Sequence, residues 1–145
     1  MILVIGVVIV FWDDQVVKMM TKILSIYLLL IGLSALYGGW AIIYTDVMDF
    51  PPGFLNSTPF RSFLIPGLIL AFVVGGTQLF AAFMLWMRKR FMYEATAVAG
   101  FCLLIWMTTE IYMIPTHHPI QIVYLGLAMI TLISLLFLIK YQPQK

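Results

Sequence analysis

The sequence has very few charged residues. Only 10% of its 145 residues are Asp, Glu, Lys or Arg, whereas 63% are hydrophobic, and the mean hydropathy is +1.08. Water-soluble domains carry about 25% charged residues, because a compact fold needs polar surface to face water. This composition argues against a soluble enzyme, and eight basic residues are too few for the electrostatic footprint of a nucleic-acid-binding protein. It indicates an integral membrane protein whose main partner is the lipid bilayer.

The sequence also lacks the residues of a redox or metal centre. Cys102 is the only cysteine and lies in an apolar run, so it has no partner for a disulfide and fits a packing role. The two histidines, His117 and His118, are adjacent between Pro115 and Pro119, so they project in different directions and have no third histidine to join them. We therefore predict no metal and no cofactor.

Catalytic sequence motifs are absent as well. The chain has no glycine-rich phosphate loop, no GxSxG elbow and no HExxH motif. This absence leaves enzymatic activity open but favours a non-enzymatic protein.

Long apolar runs, in contrast, dominate the sequence. A helix needs about 20 residues to cross a hydrocarbon core of ~30 Å. None of the runs has the period-two alternation of a lipid-facing β-barrel. They predict an all-α fold, an antiparallel transmembrane four-helix bundle in a domain of residues 23–145, with spans at 23–44, 63–87, 91–114 and 120–139.

Residues 1–22 form an extra N-terminal segment that does not fit this pattern. Its first 12 residues are apolar but reach only ~18 Å as a helix, which is too short to span. No basic residue precedes the run, and Asp13 and Asp14 follow it, which argues against a secretory signal peptide. Two interpretations remain: a short apolar segment at the membrane interface, or an extension that precedes a natural start at Met19 or Met20.

The basic residues are distributed unevenly along the chain. Arg61 is the only one predicted at the end of the bundle away from the termini. An excess of Lys and Arg marks the cytoplasmic side, so we expect both termini in the cytoplasm and the protein in the cell's inner (plasma) membrane. The residues that carry this bias are Lys18, Lys22, Arg88, Lys89, Arg90, Lys140 and Lys145.

Small residues recur at four-residue spacing in the second span, at Gly67, Ala71 and Gly75. Such spacing lets helix backbones approach closely, which drives helix association in lipid. We predict that these residues pack the helices of one bundle; the alternative is a seam of a homo-oligomer or of a larger membrane complex. Pro66 lies in the same helix and should bend it.

Glu110 is the most informative polar residue inside the spans. It is predicted about one turn inside the outer end of the third span, where an unpaired carboxylate is costly, and Trp106 lies one turn deeper. Arg61, Gln121 and Tyr124 fall at the same outer level. Two interpretations remain open. One is an outward-facing pocket for a lipid, quinone or other small amphiphile, with proton chemistry at Glu110 as an option; the other is a structural polar clasp between helix ends.

Thr77 and Gln78 lie near the middle of the second span. An amide at that depth needs hydrogen-bond partners from other helices. We expect an interhelical hydrogen bond, with a ligand contact as the alternative.

Several blocks of the sequence resemble a known family. They are GLSALYGGW at 32–40, TPFRSFLIPGLIL at 58–70, WMTTE at 106–110, and Gln121 with Tyr124 and Gly126. These blocks look like a group of small, uncharacterised bacterial four-span integral membrane proteins, and the resemblance covers roughly residues 22–139. It implies a four-span membrane fold and no activity, so no catalytic residue is carried over. The stretch before Met19 departs from the pattern.

The sequence thus supports two classes of function. A non-enzymatic accessory or membrane-structural protein is favoured by the packing motifs and by the absence of catalytic motifs. Binding of a small amphiphile around Glu110 is the alternative.

Overall fold

The computed structural model describes residues 2–44, 59–113 and 119–141, and it describes side chains from residue 14 onward. Within these ranges the chain is helical and contains no strand. Four long helices follow one another: α1 (Ile2–Ile43), α2 (Leu64–Trp86), α3 (Met92–Met113) and α4 (Pro119–Lys140).

Each helix contains a stretch that is long and apolar enough to cross a membrane, and in α1 this stretch is Asp14–Ile43. The prediction of an all-α four-helix transmembrane bundle is therefore confirmed, and the chain is a multi-pass membrane protein. The helices α2, α3 and α4 begin and end within one residue of the predicted spans. The helix α1 starts much earlier than residue 23, because the polar residues between the first apolar run and the span do not interrupt the helical backbone.

From Ile2 onward the N-terminal segment joins the first span without a break, since α1 is continuous from that residue. Farther along, Asp14 forms an ion pair of 2.5 Å with Lys18, and its second oxygen lies 3.9 Å from the Arg88 guanidinium. These side chains are more than one-third exposed, so the pairs contribute little to stability. They nevertheless place the start of the first spanning stretch beside the turn between α2 and α3. An interfacial position for the segment stays a prediction.

The four helices are arranged as a square in chain order. The helix α1 packs along the whole of α2, and α3 packs against α4. The helix α2 contacts α3 only from residue 69 onward, and α1 contacts α4 less extensively than it contacts α2. In the described parts of the chain no contact joins α1 to α3 or α2 to α4, so these pairs lie on the diagonals.

Two apolar clusters fill the interior. We call the end of the bundle that carries Arg88 the basic end and the opposite end the Glu110 end. The cluster toward the basic end contains Val17, Leu24, Leu28, Ala81, Ala82, Leu85, Met92, Ala95, Ala99 and Leu138. The cluster toward the Glu110 end contains Ile31, Ala35, Val74, Leu103, Met107 and Ala128. Tyr27 packs against both clusters and therefore lies at the level where they meet.

The helix α2 changes its hydrogen-bonding pattern along its length. It is α-helical over Leu64–Leu68, π-helical over Ile69–Gly75 and α-helical again over Gly76–Trp86. Pro66 has no amide hydrogen and cannot complete the α-helical pattern, and the π-helical segment begins three residues later. The helix thus continues past the proline, as membrane helices can when their carbonyl groups find other donors.

The turn after α2 is closed by two backbone hydrogen bonds. The Arg88 amide donates to the Leu85 carbonyl at 3.1 Å, and the Lys89 amide donates to the Met84 carbonyl at 3.0 Å. This is a Schellman motif, in which Arg88 occupies the left-handed position with φ of 48°. Glycine is the residue that takes this position without steric cost.

We expect Arg88→Gly to raise the melting temperature of the protein in detergent. The left-handed conformation costs a residue with a Cβ about 1–2 kcal/mol, whereas the exposed contact with Asp14 contributes about 0–1 kcal/mol. Thermal unfolding of two variants separates the backbone cost from the contribution of the Asp14 contact. Arg88→Ala removes the charge but keeps the Cβ, whereas Arg88→Gly removes both. A glycine variant no more stable than the alanine variant would contradict the expectation.

Candidate functional site at the Glu110 end

A hydrogen bond between two side chains joins α3 to α4 at the Glu110 end. The Gln121 Nε2 atom donates to Glu110 Oε1 at 3.2 Å. Glu110 lies in the last turn of α3 and Gln121 in the first turn of α4, so the bond links the two helices close to their connection. Gln121 is only 4% exposed, whereas Glu110 is half-buried. Glu110 is therefore partly open to the surroundings of the bundle.

Trp106 lies one helical turn before Glu110 and is half-buried. Its indole N–H is close enough to interact with the same carboxylate, but no acceptor in the described part of the chain meets hydrogen-bond geometry with it. A buried donor without an acceptor costs about 1–3 kcal/mol. Trp106, Glu110 and Gln121 thus form a small polar group, in which the indole N–H lies beside the carboxylate without meeting hydrogen-bond geometry.

Tyr124 was predicted at this site, but its hydroxyl is used elsewhere. It donates to Ser34 Oγ at 2.8 Å, and Ser34 Oγ donates to the Ile31 carbonyl at 2.7 Å. Tyr124 therefore joins α4 to α1 and is not a hydrogen-bond partner of Glu110.

Arg61 was predicted as a partner of Glu110, and the structure does not bring the two together. The Arg61 side chain is exposed, and no nitrogen–oxygen distance within 4.0 Å pairs the two groups, both of which are described. The first segment of α2, Leu64–Leu68, makes no contact with α3. The two helices are apart at this end, which keeps the guanidinium away from the carboxylate.

Gln78 forms the interhelical hydrogen bond expected from its depth. It is fully buried, and its Nε2 atom donates to the Ala99 carbonyl on α3 at 2.9 Å. Its Oε1 atom has no hydrogen-bond partner among the described residues. Thr77 instead donates to the Val73 and Val74 carbonyls of its own helix, at 2.8 and 2.9 Å.

The small residues of α2 face α1. Gly67, Ala71 and Gly75 are buried, and a Cβ atom placed on Gly67 would lie 2.7 Å from the Gly39 carbonyl oxygen. A Cβ atom placed on Gly39 would lie 2.5 Å from the Gly67 carbonyl oxygen. The two backbones are thus in direct contact at this crossing, and α1 covers the row of small residues.

Sequence reasoning missed two polar residues that also join helices. Ser25 Oγ donates to the Ala82 carbonyl on α2 at 2.6 Å, and the Tyr27 hydroxyl donates to the Leu127 carbonyl on α4 at 2.7 Å. A signal for both was available, because each is a polar side chain within the first apolar span. What sequence could not supply was the direction in which each side chain points.

No group of three or more metal-ligating side chains occurs within residues 2–44, 59–113 and 119–141. His117 and His118 lie outside the described residues. The polar groups that the structure describes are therefore hydrogen-bonding groups. They lie around Glu110 at one end of the bundle and around Gln78 in its middle.

Comparison with known proteins returns no match. No protein-family model, no curated protein and no solved structure is similar to the chain at a significant level. The function is therefore inferred from the fold and from the placement of its polar groups.

Proposed function

We propose that this chain is a non-enzymatic accessory or membrane-structural protein. One observation carries the proposal: each pair of neighbouring helices in the bundle is joined by a hydrogen bond from a polar side chain. The pairs, in order around the bundle, are Ser25 with Ala82, Gln78 with Ala99, Gln121 with Glu110, and Tyr124 with Ser34.

This ring of hydrogen bonds accounts for most of the polar side chains that the sequence singled out. Polar residues between membrane helices stabilise helix association, and those engaged in such bonds are not free to converge on a substrate.

The large exposed hydrophobic side chains, such as Phe72 at 71% and Ile105 at 63%, face outward where lipid or another membrane protein would cover them. The partner of an accessory protein would be a larger membrane complex or a second copy of this chain.

The proposal includes a location and an orientation. We place the protein in the inner membrane of a bacterial cell, in keeping with its resemblance to small four-span proteins, and both termini in the cytoplasm. The support is the distribution of charge, since Arg61 is the only basic residue predicted away from the basic end.

A reporter fusion tests the orientation. A fluorescent protein that matures only in the cytoplasm, fused after Lys145, should give signal, and an enzyme that is active only outside the cytoplasm should give none there. Moving both reporters to a site between Tyr44 and Pro59 should reverse the result. Activity of the external reporter after Lys145 would overturn the orientation.

The alternative function is binding of a lipid, quinone or other small amphiphile at Glu110. The observation in its favour is the buried Trp106 N–H, which has no acceptor in the described part of the chain and lies beside a half-buried carboxylate. A ligand with a carbonyl or hydroxyl oxygen would supply that acceptor, and the carboxylate could exchange a proton with it.

Two substitutions at Glu110 separate these functions. If the residue is a structural clasp, Glu110→Gln should unfold like the unmodified protein, because it keeps an acceptor oxygen for Gln121. Glu110→Ala removes the acceptor from a buried amide and should cost about 1–3 kcal/mol. Thermal unfolding in detergent measures both effects.

Native mass spectrometry of the same variants completes the test. A bound small molecule that disappears in a well-folded Glu110→Gln variant would favour the amphiphile site over the structural clasp. Identical spectra, together with a melting temperature lowered only by Glu110→Ala, would favour the clasp.

A further inference from the structure

A groove runs along the outer surface of the bundle between α2 and α3. It has a volume of about 530 Å³ and is lined mainly by apolar side chains. Its walls are Phe72 and Phe80 from α2 and Phe91 and Val98 from the α3 side, each at least half exposed. Since these side chains face away from the interior of a membrane protein, the groove opens toward lipid.

Gly76 contributes no side chain to the groove. It lines the groove, and a Cβ atom placed on it would meet no atom within 4 Å. Elsewhere on α2, at Gly67 and Gly75, a Cβ atom would approach α1 within 3.2 Å or less. The absence of a side chain at Gly76 therefore does not serve helix packing and leaves open space in the groove.

A cation and an anion lie close to one end of the groove. Glu94, in the first turn of α3, lines it, and the Arg90 guanidinium lies 5.7 Å from the ring centre of Phe91, which forms part of its wall. The i,i+4 spacing of Arg90 and Glu94 would allow an ion pair, yet no nitrogen–oxygen distance within 4.0 Å joins these two described residues. Each charge is thus available to an external group.

We propose that this groove binds a phospholipid with a phosphoethanolamine headgroup. One acyl chain would lie between the Phe72, Phe80 and Val98 side chains, over Gly76. The phosphate would contact Arg90, and the primary ammonium would donate hydrogen bonds to the Glu94 carboxylate.

Charge complementarity favours this headgroup over other common ones. A choline headgroup carries a cation without N–H donors, so it cannot donate a hydrogen bond to Glu94. A glycerol headgroup has no cation and would leave Glu94 beside an anionic phosphate. The apolar face of a partner helix would pack against the groove walls, but it would leave the charges of Arg90 and Glu94 without partners.

The experiment is a lipid titration of delipidated protein in mild detergent, read by native mass spectrometry. The probes are phosphatidylethanolamine, phosphatidylcholine and phosphatidylglycerol with identical acyl chains. We expect phosphatidylethanolamine to bind most tightly. Glu94→Gln should weaken its binding about two- to fivefold, as expected for a partly exposed charge pair, and should remove the preference over phosphatidylcholine.

Gly76→Leu tests the groove itself, because the added side chain occupies the space for the acyl chain. It should weaken binding of all three lipids. Gly126→Leu is the matched control, since a Cβ atom on Gly126 also meets no atom within 4 Å but lies on α4. Lys89→Gln is the control for charge, because it removes a cation from the same turn that is not part of the proposed site, and it should leave the preference for phosphatidylethanolamine unchanged. Glu110→Gln should also leave this lipid binding unchanged, whatever its effect at the Glu110 end.

Three results would overturn the proposal. One is equal affinity of the unmodified protein for all three lipids. Another is tightest binding of phosphatidylglycerol with no effect of Glu94→Gln, which would indicate attraction to the basic turn alone. The third is unchanged lipid binding in Gly76→Leu together with a changed oligomeric state, which would identify the groove as a contact between proteins.

Discussion

Replacing Gly39 by alanine should destabilise the bundle more than the same change at the other glycines whose surroundings the structure describes. The new Cβ atom would lie 2.5 Å from the Gly67 carbonyl oxygen and 2.8 Å from the Ala71 amide nitrogen. Both atoms belong to the backbone of α2, so no side-chain rotation can relieve the contact and the helices must separate. Such overpacking costs about 1–3 kcal/mol, and Gly39→Leu should cost more. Thermal or denaturant unfolding in detergent measures the loss.

Gly76→Ala is the matched control for this prediction. It adds the same methyl group to α2, but at a position where nothing lies within 4 Å of the new atom. Because alanine is favoured over glycine in a helix by about 0.5–1 kcal/mol, this variant should be as stable as the unmodified protein or more so. Equal stability of the Gly39 and Gly76 variants would show that α1 and α2 do not pack through this crossing.

The fold could be predicted from sequence because the bilayer restricts what a long apolar segment can do. In hydrocarbon every backbone polar group must be satisfied within the protein, so runs of about 20 apolar residues become helices. Hydropathy therefore located α2, α3 and α4. It did not show that α1 continues to Ile2, because a helix can extend beyond the bilayer without any change in local backbone preference.

The candidate site could be predicted only in part, because depth along a helix follows from counting residues whereas direction around it does not. Counting placed Glu110 and Gln121 at the same level, and the structure joins them. The same counting placed Arg61 and Tyr124 at that level too. Arg61 is not paired with Glu110, because α2 and α3 are apart there, and Tyr124 points to α1.

The sequence also did not predict the hydrogen-bond pattern of α2. Pro66 was expected to bend the helix, but a proline is also compatible with an unwound turn or a π-helical segment. The structure has a π-helical segment over Ile69–Gly75, in which Ala71, Val74 and Gly75 are buried while Phe72 is exposed. The segment packs against α1 and α3, and such packing is a property of the assembled bundle that the local sequence does not show.

Gln78→Ala should produce a second large loss of stability. Gln78 is fully buried where α1, α2 and α3 meet, and its Nε2 atom donates to the Ala99 carbonyl. The substitution removes this hydrogen bond and the four heavy atoms beyond Cβ, which leaves a cavity. Truncation of a buried side chain of this size to alanine costs about 2–5 kcal/mol. Unfolding in detergent should show a loss in this range.

Gln78→Met separates the stability lost with the hydrogen bond from the stability lost with the side-chain volume. Methionine has a similar length and shape, and it also removes the Oε1 atom, which has no partner among the described residues. The Ala99 carbonyl lies in the middle of α3, so after the change it still accepts the helical hydrogen bond that the backbone amide one turn later donates. We therefore expect Gln78→Met to cost less than about 1.5 kcal/mol. A methionine variant as unstable as the alanine variant would mean that the amide is essential, and that its Oε1 atom is satisfied by a group such as a buried water.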